Sequence, residues 1–566
     1  MARLISGLTG LRQAVIALAA VGILSVLCPT AAAATTLSCA DLARASLSHA
    51  TIRSAEDVSD SLPAEDLVSS RGPRGQTVNP LLRNMPSFCR IKARLSPVNG
   101  SNIGVELWLP RNWNGKLLGI GNHGFGGEFE RGDMAMGLRR GYAVAATDMG
   151  HTGTRGAQGG MNVGNAEFSL GNQVAIDDFA WRATHAMTVA AKALVALYYG
   201  VAARRSYFDA CSNGGRQAMR EVQQFPADYD GVIAGSAAMN WTGFMAQTLW
   251  QYQSGALASG GRLSRAALEL AHRSTLAACD RNDGLADGLI ADPQRCGWKP
   301  SSILCKPGSA SGTCLNTEEV TAIERVEAPL RDPRTGRTIY DGMEPGSELL
   351  WVSPNGSIGG LNRVTGEFYR YMVVGNPQWS AEDALKTNIF DLWRASAALG
   401  APGARIDSVN PDLSAFRKRG GKLIQYHGWA DQSMSPGYNT RYYMEVVDLQ
   451  PGPDRLARTQ DFYRLFMAPG MAHCYGGGGP TNFGGLDHDA LPTLDAEHDV
   501  LEALDAWVDK ANPPKELTAT EFGETGDVRR QIPICPYPQV PTYTGGDPAA
   551  ASSFQCKRPR TPTVRF

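Results

Sequence analysis

The sequence is short of net charge: 54 lysines and arginines face 55 aspartates and glutamates, a formal −1 at pH 7. No basic stripe interleaved with aromatics runs through it, which removes a nucleic-acid backbone from the partners such a chain is built for. It lacks any CxxC pair, so neither a zinc ribbon nor a thioredoxin-like redox site is expected. After the first 34 residues no apolar run is long enough to cross a bilayer, and no internal repeat or low-complexity tract organises the chain.

What the sequence has is length. Its 566 residues exceed what a single core fills, so two units, or one domain with a large insertion, are expected. Residues 1–34 have early arginines, an apolar run from Ala14 to Leu27 and a small-residue end, which is the build of a secretory signal peptide, and cleavage is expected near Ala32 to Ala34. A lipid anchor on Cys28 is disfavoured by the bulky Leu27 before it. The product is therefore expected in the periplasm or outside the cell, without a membrane span. Eleven cysteines become ten once Cys28 leaves, an even number that reads as disulfides in an exported chain. Proximity pairs Cys279 with Cys296, Cys305 with Cys314 and Cys535 with Cys556.

From about Gly104, short apolar runs alternate with amphipathic stretches: "VELWLP", "KLLGIGNH", "GYAVAATD", "DFAWRATHAMTVAAKALVALYYG", "SYFDAC", "GGRQAMREVQQF", "GVIAGS". Continuously apolar strands interleaved with helices predict an α/β fold with a mostly parallel sheet covered on both faces. The pattern returns in "GKLIQYHGWAD", "FYRLFMAPGMAHC" and "DVLEALDAWVDK". Residues 35–236 and 417–566 are thus expected to form the core. Residues 237–416, which lack that alternation, are expected to form an inserted lid.

The chemistry concentrates at the strand ends. Ser212 follows "SYFDAC" and precedes "NGGRQAMREV", a strand, tight turn and helix that would hold a serine hydroxyl exposed and aim the Asn213 amide at a forming oxyanion. Ala210 stands where the G-x-S-x-G signature has its first glycine, and Gly214 keeps the second. Helix capping by Ser212 is the plain alternative. Partners in the order Ser, Asp, His are available: Asp431 follows "KLIQYHGWA" and His473 follows "RLFMAPGMA". His427 is the main rival base, and His123, His151, His488 and His498 have weaker cases. The glycine-rich loop "GIGNHGFGGEF" suits the second oxyanion donor, with Gly124 first and Gly126 close behind.

Cys211 precedes the serine and Cys474 follows the histidine. If Ser212 and His473 meet at about 3 Å, these neighbours fall near the Cα separation of about 5.5 Å that a disulfide wants. In the middle region, "CDRNDGLADGLIADPQRC" gathers Asp280, Asp283 and Asp287 with turn glycines. These carboxylates, with the carbonyls of Leu285 and Leu289, could bind a structural calcium ion, although the spacing is not that of an EF-hand.

Together "GNHGFGG", "TDMGHTG", "ACSNGGRQAM", "CDRNDGLADGLI", "YHGWAD" and "PGMAHC" resemble the tannase and feruloyl esterase family of secreted serine hydrolases, which also includes the enzyme that hydrolyses mono-(2-hydroxyethyl) terephthalate. The resemblance implies an α/β-hydrolase core with a lid, a Ser212, Asp431 and His473 triad, calcium in the lid, the Cys211–Cys474 bridge, and a pairing of Cys39 with Cys89. It implies an esterase acting on aromatic acid esters, free or attached to polysaccharide or polyphenol. Asn213 follows the nucleophile as in feruloyl esterase-like members, where the terephthalate-monoester enzyme has an acidic residue. With no convincing counterpart to that enzyme's carboxylate-binding arginine, a phenolic ester ranks first, ahead of tannase and terephthalate-monoester activity. Of the lid aromatics, Trp241, Trp250 and Trp379 are candidates to stack on the phenolic ring. The reading from another class is a calcium-stabilised binding protein without activity, and a serine peptidase on the same fold is a second enzyme reading.

Overall fold

The structure is a computed structural model that describes residues 36–63, 66–69, 77–78, 80–153, 165–256, 263–310, 312–351, 361, 363–485 and 493–559. The signal segment 1–34, with Cys28, and His488 lie outside the described residues.

One nine-stranded sheet organises the molecule: β1 (Ala50–Asp60), β2 (Met85–Leu95), β3 (Ile103–Pro110), β4 (Lys116–Ile120), β5 (Ala143–Thr147), β6 (Arg205–Cys211), β7 (Gly231–Gly235), β8 (Lys422–Gly428) and β9 (Tyr463–Ala468). Their order across the sheet is β1-β2-β3-β5-β4-β6-β7-β8-β9. The first three strands pair antiparallel, as does β3 with β5, and every pairing from β5 to β9 is parallel. β4 to β9 carry few charges because both faces are covered.

Alternate side chains of each strand enter two different cores. Phe208 and Ala210 of β6, Val232 and Ala234 of β7 and Leu465 of β9 pack with helices α2 (Ala183–Tyr199), α3 (Asn213–Gln224) and α4 (Pro436–Asp448). Tyr207, Ile233, Ile424 and Phe466 pack on the other face with α1 (Arg131–Arg139) and α5 (Val500–Lys510). Two C-terminal hairpins, Leu517–Phe522 with Val528–Ile534 and Val540–Tyr543 with Phe554–Lys557, extend that second layer.

Residues 236–421, between β7 and β8, add no strand to the central sheet. They fold mainly as helices, including Trp241–Ala256, Arg265–Cys279, Thr317–Glu327 and Ile389–Ala397, beside a ribbon of Leu330–Arg331 with Thr338–Tyr340. This region has its own apolar cluster around Leu268, Trp298 and Ile323. It is not packed as a separate body, since Trp241, Phe244, Met245 and Leu249 enter the same core as α2 and α3.

Five disulfides are formed. Cys279–Cys296, Cys305–Cys314 and Cys535–Cys556 join the pairs that sequence proximity suggests, and Cys39–Cys89 ties the short helix Cys39–Leu42 to β2. Cys211–Cys474 spans 263 residues with Cα atoms 6.0 Å apart.

Candidate active site

The parallel strands end at one edge. Register pairs Ile120 with Asp209, Cys211 with Gly235, and Gly428 with Ala468, so the loops after β4, β6, β8 and β9 emerge side by side. That carboxyl edge is where open α/β sheets place their ligands.

Ser212 is the turn between β6 and α3. Its φ of 66° and ψ of −125° lie far from the regions a side chain prefers, and its amide and carbonyl are held by Gly235 O (3.0 Å), Arg216 N (3.1 Å) and Ala238 N (3.2 Å). The turn closes because its neighbours lack bulk. A Cβ on Gly214 would stand 2.5 Å from Cβ of Ala210, and one on Gly121 would stand 2.6 Å from the same methyl, so Ala210 takes the first glycine's place at the cost of bare neighbours. Gly215 likewise has no room for a Cβ beside the Gly235 carbonyl. Ser212 makes no side-chain capping bond to α3.

The hydroxyl instead faces an imidazole. Ser212 Oγ is 2.9 Å from His473 Nε2, and His473 Nδ1 is 2.8 Å from Asp431 Oδ2. With the proton on Nδ1, His473 donates to the carboxylate and leaves Nε2 to accept from the serine. Asp431 is fully buried, and its Oδ1 accepts from the amides of Ser433 (2.8 Å) and Met434 (3.0 Å). Burial alone would raise its carboxyl. The His473 imidazole and the hydrogen bonds from His427 and His473 outweigh that and hold it well below the usual carboxylate range.

His427 is buried within β8 and turns Nε2 to Asp431 Oδ2 (3.0 Å) and the Met434 carbonyl (3.3 Å), not to Ser212. It is a second brace on the acid. His151 stacks on Phe168 with ring centres 3.7 Å apart, His498 bonds Asp495 (3.0 Å), and the His123 carbonyl accepts from Gly126 (2.8 Å).

That last bond separates the two oxyanion candidates. The Gly126 amide is used within its turn, whereas Gly124, at φ 52°, uses its amide in none of the described hydrogen bonds. Asn213 opens α3, so its amide has no acceptor within the helix. Sequence reasoning missed what pins this loop. Gln217 Oε1 on α3 accepts from the Asn122 amide (3.1 Å), Asn122 Nδ2 donates to the carbonyls of Glu128 and Thr147 (both 2.9 Å), and the Gly127 amide donates to the Asp148 carbonyl (3.2 Å). It also missed Arg216. This fully buried guanidinium donates to Asn213 Oδ1 (2.7 Å), to the Ala180 carbonyl (2.6 Å) and to the Phe179 carbonyl (3.2 Å). Both residues stand in the quoted "ACSNGGRQAM", so the signal was there without its geometry.

Trp241 reaches this loop, 5.6 Å from the Phe125 ring. Trp250 is tied by Nε1 to the Arg325 carbonyl (2.9 Å), and Trp379 is buried beside Tyr369 (6.0 Å).

The acidic loop in the insertion is wound on itself. Asp280 accepts from the amides of Asp287 (3.2 Å) and Gly288 (3.1 Å), Asp283 from Leu285 (3.0 Å), and Asp287 from Leu289 (3.2 Å). Burial, reinforced by Asp287 and Asp280, pushes the Asp283 carboxyl up to about 6 although the Leu285 amide opposes it. Arg530 is a cation facing this loop, 3.3 Å from Asp287, and it also donates to the Gly478 carbonyl (3.1 Å). Leu289 packs against Gly470 and Gly479, beside the segment that carries His473.

A sequence model of the family described as "Tannase and feruloyl esterase" matches residues 89–557. The chain belongs to the tannase and feruloyl esterase family. A protein named as an esterase in Xanthomonas campestris pv. campestris is 34% identical, with 97% of this chain and 95% of that protein covered. A probable feruloyl esterase B-2 of Aspergillus terreus is 33% identical over 88% of this chain and 90% of its own length. The crystal structure of feruloyl esterase B from Aspergillus oryzae superposes with a TM-score of 0.80 at 28% identity, covering 92% of this chain and 99% of that one. Membership of this family makes the chain a carboxylic ester hydrolase with an α/β-hydrolase core.

Proposed function

We propose that the protein hydrolyses esters of phenolic acids, feruloyl esters first, through an acyl-enzyme formed on Ser212. The observation that carries the reading is the continuous hydrogen-bonded chain from Ser212 Oγ through His473 to the buried Asp431. His473 Nε2 takes the hydroxyl proton as Oγ attacks the ester carbonyl, and Asp431 holds the imidazole and stabilises its charged form. The amides of Gly124 and Asn213 receive the oxyanion. The alcohol leaves with the proton from His473, and water then repeats the sequence on the aromatic acyl-enzyme. Arg216 and Gln217 position the two donors, through the Asn213 side chain and Asn122. Trp241, expected from the sequence as a ring to stack on the substrate, is instead fully buried against Phe125, Phe179 and Phe244 and supports the oxyanion loop from beneath.

Asn213 supports the phenolic ester over the terephthalate monoester. It is the residue that feruloyl esterase-like members carry after the nucleophile, and Arg216 holds its Oδ1 (2.7 Å). The relatives named as feruloyl esterases support the same choice. Turnover of methyl ferulate, methyl gallate, a terephthalate monoester and a peptide amide tests it. Methyl ferulate should have the highest kcat/KM, and a preference for any other of the four would displace this reading.

For the acidic loop, the reading is a structural calcium ion held by Asp280, Asp283, Asp287 and the carbonyls of Leu285 and Leu289. Its support is the burial and mutual repulsion that raise Asp283, a cost that a divalent cation removes. Export to an oxidising compartment is supported by the five disulfides, and among the described residues no helix is long and apolar enough to cross a membrane.

A further inference from the structure

Behind the nucleophile helix, away from the triad, α2 and α3 bring a second set of ionisable groups together. His185 lies on α2, Glu221 on the last turns of α3, and Asp228 in the loop before β7. One nitrogen of His185 and one carboxylate oxygen each from Glu221 and Asp228 lie within 4.8 Å of one another, near enough for small side-chain adjustments to bring all three onto one ion. Nothing in the proposed ester hydrolysis uses them.

Glu221 is the group that requires explanation. It is 1% exposed, and neither carboxylate oxygen has a hydrogen-bond partner. A buried carboxylate left without partners is costly, and such groups are paired or coordinate a metal. The neighbouring cations are engaged elsewhere. Arg220 donates to Ser408 Oγ (3.1 Å) and to the carbonyls of Arg405 (2.8 Å) and Ile406 (3.1 Å), and Lys192 donates to the backbone carbonyls of Asp228 and Ala227. Glu221 therefore faces His185 and Asp228 without an ion pair of its own, and burial together with the adjacent Asp228 carboxylate pushes its carboxyl well above the usual carboxylate range.

We propose that His185, Glu221 and Asp228 form a binding site for one divalent transition-metal ion of the Zn2+ type, separate from the acidic loop of the insertion. The donor set is one imidazole nitrogen and two carboxylates, a mixture that suits Zn2+ better than the all-oxygen shells of calcium. Its charges balance, since two carboxylates neutralise the ion. The imidazole is oriented in advance, because its ring stacks on Phe225 with centres 4.0 Å apart and planes 14° from parallel. His185 Nδ1 and Asp228 Oδ2 are now 2.6 Å apart. Bonds of about 2.0–2.2 Å at a tetrahedral angle would separate them to roughly 3.4 Å, a small side-chain adjustment. The His185 side chain is 34% exposed, which leaves an entry path for the ion and a place for water as the remaining ligand. The ion would fasten α2, α3 and the Asp228 loop together and so stiffen the helix that starts at Ser212.

The competing occupant is a proton shared between Glu221 and Asp228. The experiment separates the two, using the whole protein stripped by chelator and returned to buffer with saturating calcium. Titration with Co2+ should give a visible absorption band of tetrahedral cobalt that saturates at one equivalent, disappears on adding Zn2+, and accompanies a rise in Tm. The band should be lost in Glu221→Gln and in His185→Ala and retained in Asp283→Asn. If Glu221→Gln does not fold, the half-exposed His185→Ala carries the comparison. Absence of the band in the wild type, or its survival in both variants, overturns the site. So does a Glu221→Gln protein with unchanged or higher Tm and a wild type whose Tm ignores Zn2+, the result expected of a shared proton.

Discussion

Replacing Cys211 and Cys474 together by alanine removes the covalent link between the two loops that carry Ser212 and His473. The bridge closes 263 residues, and the chain-entropy relation assigns such a loop about 5 to 6 kcal/mol of unfolded-state constraint. The two disulfides nested inside it, spanning 17 and 9 residues, shorten that loop too little to matter, because the dependence is logarithmic. Native disulfides typically contribute about 2 to 5 kcal/mol, so the upper part of that range is expected. At this chain length the unfolding entropy converts it into a Tm decrease of about 4 °C. Activity should fall as well. The 2.9 Å Ser212–His473 contact is flanked on both sides by the bridge, and a misplacement near 1 Å costs about 100-fold. Differential scanning calorimetry and steady-state hydrolysis of methyl ferulate read the two effects, and the loss should appear in kcat more than in KM. The control is the double alanine variant at Cys305 and Cys314. It opens only 9 residues, for about 2.6 kcal/mol, and should leave kcat alone. A Cys211/Cys474 variant with wild-type Tm and kcat would refute the reasoning.

Gly214→Ala places a Cβ 2.5 Å from Ala210 and 3.0 Å from the Asn122 carbonyl; overpacking of this kind costs about 1 to 3 kcal/mol, and because Asn122 belongs to the oxyanion loop, urea unfolding and kcat should both register it. For the acidic loop, Asp283 is raised from an unfolded value near 3.9 to about 6 when folded. A raised acid contributes stability below its unfolded value and loses it as pH climbs through its folded value, so without calcium Tm should decline between about pH 4 and 6 through this group. Calcium or Asp283→Asn should flatten that part of the Tm profile, and an identical profile in all three samples would remove the loop from the account.

Much of the sheet can be read in the sequence because β4 to β9 are buried on both faces and appear as apolar runs ending in loops. β1 and β2 cannot be read that way. β1 is an edge strand whose side chains are mostly exposed, and β2, "MPSFCRIKARL", carries three basic residues. Arg90 of β2 is fully buried, paired with Glu106 (2.7 Å) and Asp66 (2.6 Å), so a strand of the core looks like a polar surface in sequence. The C-terminal hairpins escape notice because they cover one face only. At the site, Ser212, Asp431 and His473 are legible as residues that follow strands in a fixed order. The roles of Gln217, Arg216 and His427 rest on contacts between segments remote in sequence, such as Arg216 with the Phe179 and Ala180 carbonyls, and no local pattern announces them. The choice between Gly124 and Gly126 turns on one backbone hydrogen bond.

The central claim is that Ser212 forms the acyl-enzyme. The direct measurement is kcat/KM for methyl ferulate with Ser212→Ala beside the wild type, each checked for an unchanged Tm. The account predicts a loss of roughly 10³- to 10⁶-fold in a folded protein. A folded Ser212→Ala enzyme within tenfold of the wild type would contradict it.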